Sequence, residues 1–158
     1  MEKIVILTIF LLVSTCIIFA ENNPIQISLI TPVQIVPMDQ SVSGLRLNLI
    51  YGENTFVKGI DIGVINHTTS GQSVGFQHGI VGLNNKDFLG VQLNAINITN
   101  NNFEGCQWGI VNYLVFANGL QLGLFNYAGK LKGLQIGILN VINMGGAFPF
   151  FPIVNWSF

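Results

Sequence analysis

The sequence predicts an all-β protein. Seven near-copies of one short segment, alternation of apolar with small or amide residues inside each copy, and turn-formers between copies carry that expectation. The copies read GLRLNLIY (44–51), GIDIGVIN (59–66), GFQHGIVG (75–82), GVQLNAIN (90–97), GCQWGIVN (105–112), GLQLGLFN (119–126) and GLQIGILN (133–140), and successive copies start 14 to 16 residues apart. In the last copy Leu134, Ile136 and Ile138 fall on one face, and Gly133, Gln135 and Gly137 on the other. A period of two belongs to strands, whereas a helix repeats every 3.6 residues. Connectors such as Thr69-Ser70-Gly71 and Asn100-Asn101-Asn102 are turn material and too short to hold a helix.

Two positions of the unit invite a structural role. The third carries Arg46, Asp61, Gln77, Gln92, Gln107, Gln121 and Gln135. A glutamine both donates and accepts, so copies stacked side by side can link these residues into a row of amides. Arg46 and Asp61 occupy the position in successive copies and are expected to pair. The fifth position alternates between glycine (Gly63, Gly79, Gly109, Gly123, Gly137) and asparagine (Asn48, Asn94), which points to a bulky neighbour or a close backbone on that face.

Composition narrows the setting. Charged residues are 8% of the 158, against about 25% in ordinary soluble domains. The formal net charge of −1 leaves no electrostatic footprint for nucleic acid. The opening differs from the rest: Lys3, an apolar run to Ala20, then Glu21-Asn22-Asn23-Pro24. Residues 1–20 read as a secretory signal peptide cleaved after Ala20. Cys16 offers a loose match to a lipidation site. Cys106 is the cysteine left after cleavage, so no intramolecular disulfide is expected. Residues 21–43 form a leader with a possible first strand over 25–36, and 44–158 form the repeat domain.

Two architectures fit. The preferred one is a small up-and-down transmembrane β-barrel of about eight strands, with aliphatic residues facing lipid and glycine and amides filling a narrow lumen. The C-terminal FPFFPIVNWSF supports it. Phe150, Trp156 and Phe158 resemble the aromatic assembly signal that ends bacterial outer-membrane barrels, although Pro149 and Pro152 suit a strand poorly. Outer-membrane lipid and the barrel-assembly machinery would then be the partners. The alternative is a parallel β-solenoid with coils of about 15 residues, in which stacking would bury the apolar face. It explains why consecutive strands look alike, which an antiparallel barrel does not.

The repeats, the leader IQISLITPVQIVP and the tail FPIVNWSF together resemble the surface-repeat proteins of spirochetes and some Bacteroidetes-like bacteria, over roughly residues 25–158. The resemblance implies an exported surface or outer-membrane protein and supplies no catalytic residues. Tyr51 and Gly82 depart from the asparagine that closes the other copies.

No catalytic, cofactor-binding or metal-binding residues are expected. His67 and His78 lack ligand spacing, Cys106 has no histidine near it in sequence, and neither a nucleophile elbow nor a phosphate loop occurs. The expected function is that of a non-enzymatic structural protein of the outer membrane or cell surface. The alternative is a surface binding or adhesion module on a solenoid.

Overall fold

The protein is described by a computed structural model covering residues 23–158. The expected signal peptide and Cys16 lie outside the described residues. Seven strands follow in order: β1 (Ile25–Ile30), β2 (Val33–Gln34), β3 (Val42–Asn54), β4 (Val57–Thr68), β5 (Ser73–Asn84), β6 (Phe88–Met144) and β7 (Phe150–Ser157). They form a single sheet in the order β2-β1-β3-β4-β5-β6-β7.

Strand direction decides the architecture. β3 and β4, β4 and β5, and β5 and β6 all pair in parallel, with Gly59 beside Gly75 and Gln77 beside Gln92. An up-and-down barrel needs antiparallel neighbours, and β2 and β7 sit at opposite ends of the order rather than closing it. The chain is therefore a β-solenoid, and the barrel expectation is corrected. The 57-residue β6 holds the last four copies, which stay paired with one another through their corners. Identical positions lie one above another at the rung spacing of about 4.8 Å.

The leader supplies one rung of its own. β1 pairs in parallel with β3, Gln26 opposite Arg46, and β2 folds back antiparallel on β1. At the other end β7 lies antiparallel on the last rung, with Trp156 beside Leu134 and Phe150 beside Val141. The register slips between Gly137 and Asn140, opposite Ile153 and Phe151. Pro152 sits in that bulge, where its missing donor breaks no regular pairing. The aromatic tail thus caps the solenoid and does not close a barrel.

Each rung bends twice. At the first position glycine takes φ between +129° and +149° in all seven copies, a corner that side chains disfavour. A Cβ on Gly105 would also lie 1.9 Å from the Gly90 carbonyl oxygen. The second bend falls after the fifth position. There alternation slips by one, so the sixth and seventh residues (Ile138 and Leu139 in the last copy) both point outward while Asn140 points in.

The polarity is the reverse of a stacked apolar core. Gln77, Gln92, Gln107 and Gln135 are 0% exposed, whereas Ile60, Ile80, Ile110 and Ile138 point into the surroundings. The alternative architecture was right in topology, but its expected burial of the apolar face is corrected. What apolar core exists lies off the amide row: Phe88, Phe103, Leu114, Ala128, Leu131 and Ile142 fill the C-terminal rungs, with Val36, Val42 and Val57 at the other end. Phe88 and Phe103 stack at 6.0 Å.

The first corner makes a direct test. Gly105→Ala adds a Cβ against backbone at positive φ and is expected to cost about 3 kcal/mol, the sum of local strain and overpacking. Gly145, at φ +76° with nothing near its missing Cβ, should cost only about 1 kcal/mol as alanine. Urea denaturation of both variants checks the contrast.

Candidate functional site: a buried polar row beneath an apolar wedge

The third-position residues form one continuous hydrogen-bonded row. Arg46 grips Asp61 with two bonds, Nε to Oδ1 and Nη2 to Oδ2, both 2.7 Å. Gln77 Nε2 donates to the same Asp61 Oδ2, at 2.9 Å. Beyond it each glutamine donates to the one before: Gln92 to Gln77 at 2.8 Å, Gln107 to Gln92 at 2.7 Å, Gln121 to Gln107 at 3.1 Å and Gln135 to Gln121 at 2.7 Å. All the amide dipoles point the same way, with N–H toward the carboxylate. The row ends at Gln135 Oε1, which is buried and has no partner.

A second row runs beside it in the opposite sense. Asn97 donates to Asn112 at 2.8 Å, Asn112 to Asn126 at 2.7 Å and Asn126 to Asn140 at 2.8 Å. Opposed rows cancel much of each other's dipole along the axis. Cross-links tie one long side of the coil to the other: Asn84 Nδ2 donates to Gln77 Oε1 at 3.3 Å and Thr99 Oγ1 to Gln92 Oε1 at 3.2 Å. Each such bond is worth about 1 kcal/mol net, while an orphaned buried amide costs about 1–3 kcal/mol. The row is therefore more demanding than it is strong.

Glycine and asparagine exchange places where the second row is interrupted. An extra residue in the first copy puts Gly52, not Tyr51, opposite Asn66. A Cβ on Gly52 would lie 1.8 Å from the Asn48 amide, and one on Gly82 would lie 2.4 Å from Asn94 Nδ2. Asn48 then donates to Asn66 at 2.8 Å and Asn94 to Asn97 at 2.7 Å. At the remaining fifth positions glycine is required by the backbone of the rung below. A Cβ on Gly79 would meet the Gly63 carbonyl oxygen at 1.9 Å.

Outside, the coil is a wedge. The second, fourth and sixth residues of every rung make one flank, the seventh and ninth the other, and the paired sixth and seventh residues make the apex. The first flank carries no charged residue, and His78 and Cys106 are its departures from aliphatic and aromatic side chains. Trp108 stands 61% exposed on it, beside a shallow apolar concavity of about 800 Å³. On the other flank Tyr113 and Tyr127 stack at 5.1 Å. The described charges outside the Arg46–Asp61 pair collect near the turns: Asp39, Lys58, Lys86, Asp87, Glu104, Lys130 and Lys132, with Glu53 at the margin of the second flank. Of the C-terminal aromatics, Trp156 and Phe150 extend the flanks by one rung, and Phe158 is 92% exposed.

The titratable cluster nearest to a chemical site is Tyr51, Glu53 and His67. The Tyr51 hydroxyl donates to Glu53 and lies 2.8 Å from His67 Nδ1. Burial and the adjacent carboxylate push the Tyr51 phenol up to about 12. The Tyr51 hydroxyl bridges the other two groups, and His67 Nε2 is buried without a partner. Burial also raises the Cys106 thiol, which suppresses the reactive thiolate. Among the described residues no group of three or more potential ligands could hold a metal ion.

Two outcomes test this geometry. Asp61→Gln leaves the Arg46 guanidinium buried without its carboxylate and is expected to cost about 3–5 kcal/mol. Adding Arg46→Gln extends the glutamine row and should restore most of that loss, read as a thermodynamic cycle by urea denaturation. Tyr51 gives a pH signature: its raised phenol supports the fold fully below pH 10, and that support is lost as pH rises toward 12. Tyr51→Phe should flatten the fall in melting temperature over that window.

No protein-family model, curated protein or solved structure matches the chain.

Proposed function

We propose that the protein is a non-enzymatic binding module of the cell exterior, in which a β-solenoid presents a preformed apolar wedge to its partner. This is the surface-binding alternative of the sequence reading carried onto the observed architecture. The observation behind it is the uncharged flank that runs the length of the solenoid while its polar residues are turned inward. Ordinary soluble monomers keep contiguous apolar patches to about 300–600 Å². Eight rungs about 4.8 Å apart span roughly 34 Å, and the second to sixth positions about 13 Å. One flank alone therefore reaches that range, and the second flank and apex add to it.

Several features support binding over catalysis. The concavity beside Trp108 is shallow and largely apolar, and its polar side chains, His78 and Asn94, bond to the Leu93 carbonyl oxygen and to Asn97 within the fold. Most of the buried polar groups bond to one another or to the backbone. The apolar opening of the sequence supports export, and the surface-repeat resemblance supports a place at the cell surface.

Ile110 and Ile138 point outward near the apex, are 52% and 60% exposed, and belong to neither buried row. Ile110→Glu with Ile138→Glu is expected to leave the melting temperature within a few degrees while abolishing adsorption to an octyl matrix at low salt. Lys130→Gln, at the charged base, should adsorb like the parent chain. Equal retention of parent and double variant would remove the docking reading.

A further inference from the structure

The shape of the apolar surface says more than its extent. We infer that its partner is the hydrocarbon of a neutral lipid leaflet, into which the solenoid sinks apex first while its charged base stays in water. This rests on the docking reading above and names its partner.

Four observations argue for lipid over a second copy. A flat mate could cover one flank only. At roughly 34 by 13 Å that contact is about 440 Å² per partner, well short of the roughly 800 Å² of a stable protein interface. It would also leave the apex and the other flank wet. Fluid acyl chains cover both flanks and the apex together.

The second observation is depth. From the first-position corner to the apex is five residues, about 16 Å at strand rise, close to half the roughly 30 Å hydrocarbon core. The coil is as tall as one leaflet is deep.

The third is the backbone. Strands within the solenoid are paired on both sides along its axis, so hydrocarbon meets few unsatisfied N–H or C=O groups. That is the condition a bilayer imposes. β7 pairs along the last rung, and β2 pairs with Ser28 and Ile30 of the first.

The fourth is charge. The described charges outside the buried pair lie at the base or its margin, and the chain has a formal net charge of −1 with no polybasic run. Attraction to anionic headgroups cannot drive the contact, so apolar burial must, and neutral lipid suffices. The Tyr113–Tyr127 stack sits on the ninth position, toward the base, where aromatic rings favour the interface between hydrocarbon and water.

Flotation of the purified full chain with phosphatidylcholine vesicles tests this. The chain should rise with the vesicles, equally in 0.1 and 1 M NaCl at about that range of screening. The Ile110→Glu, Ile138→Glu chain should show at least a tenfold loss (roughly the scale of 1.4 kcal/mol). In a Trp156→Phe background, brominated-chain phosphatidylcholine should quench Trp108 fluorescence. A chain that stays below the vesicles, dimerises with concentration and shields Trp108 from acrylamide would overturn the lipid assignment in favour of a second copy, with docking intact. Flotation of the double variant equal to the parent, without quenching of Trp108, would equally overturn it. Octyl-matrix retention, measured in parallel, reports separately on the docking reading.

Discussion

The register of the buried amide row governs this molecule. A side-chain amide inside a protein must find both a donor and an acceptor, and along the row Gln92, Gln107 and Gln121 find them in the equivalent glutamines of the rungs on either side. That works only while rungs stay in parallel register at about the spacing of strands. A slip of one residue would turn glutamine outward and isoleucine inward across the whole stack. The positive-φ glycine at each corner and the slip in alternation before Asn140 are the local means of keeping that register. The Arg46–Asp61 pair ends the row with a full charge on each partner, where a further glutamine would otherwise need an acceptor. At the opposite end no equivalent device is present, and the Gln135 carbonyl remains orphaned beneath β7.

Much of this was legible in the sequence because strands declare themselves with a period of two. The all-β class, the common face of the third-position residues and the adjacency of Arg46 to Asp61 follow from repeat spacing alone. Strand direction did not, because alternation reads the same whether neighbours run parallel or antiparallel. The clue was present in the likeness of consecutive copies, which favours parallel stacking, but low charge and the terminal phenylalanines pulled toward a barrel. Those two features have another cause. Low charge reflects an apolar exterior, and the tail extends that exterior by one rung through Trp156 and Phe150.

Polarity is less legible still. Stacking predicts a buried aliphatic face, and only a barrel predicts amides turned inward. The protein joins the topology of one to the polarity of the other. Nothing in an alternating pattern says which face is interior. The sizes do: a coil of 14 to 16 residues with two tight bends has room for glycine and slender amides, while branched side chains at every second position would overfill it. Gly79, whose missing Cβ leaves room for the Gly63 carbonyl, shows how narrow that space is. Tyr51, Glu53 and His67 came together without a sequence signal, since an added residue in the first copy hid the true alignment of Gly52 with Asn66.

The exchange between glycine and asparagine has an evolutionary consequence. Where the eighth position loses its amide, at Gly52 and Gly82, an asparagine at a fifth position occupies the vacancy, from the same rung for Asn48 and from the next for Asn94. Rungs in the first half are therefore not interchangeable parts. Excising the segment around Gly82 would strand Asn94 with no space to enter, whereas the uniform stretch from Asn97 to Asn140 could gain or lose a unit without leaving a gap. Length variation among descendants of this chain should accordingly accumulate on the C-terminal side, and the N-terminal rungs should change only in matched pairs.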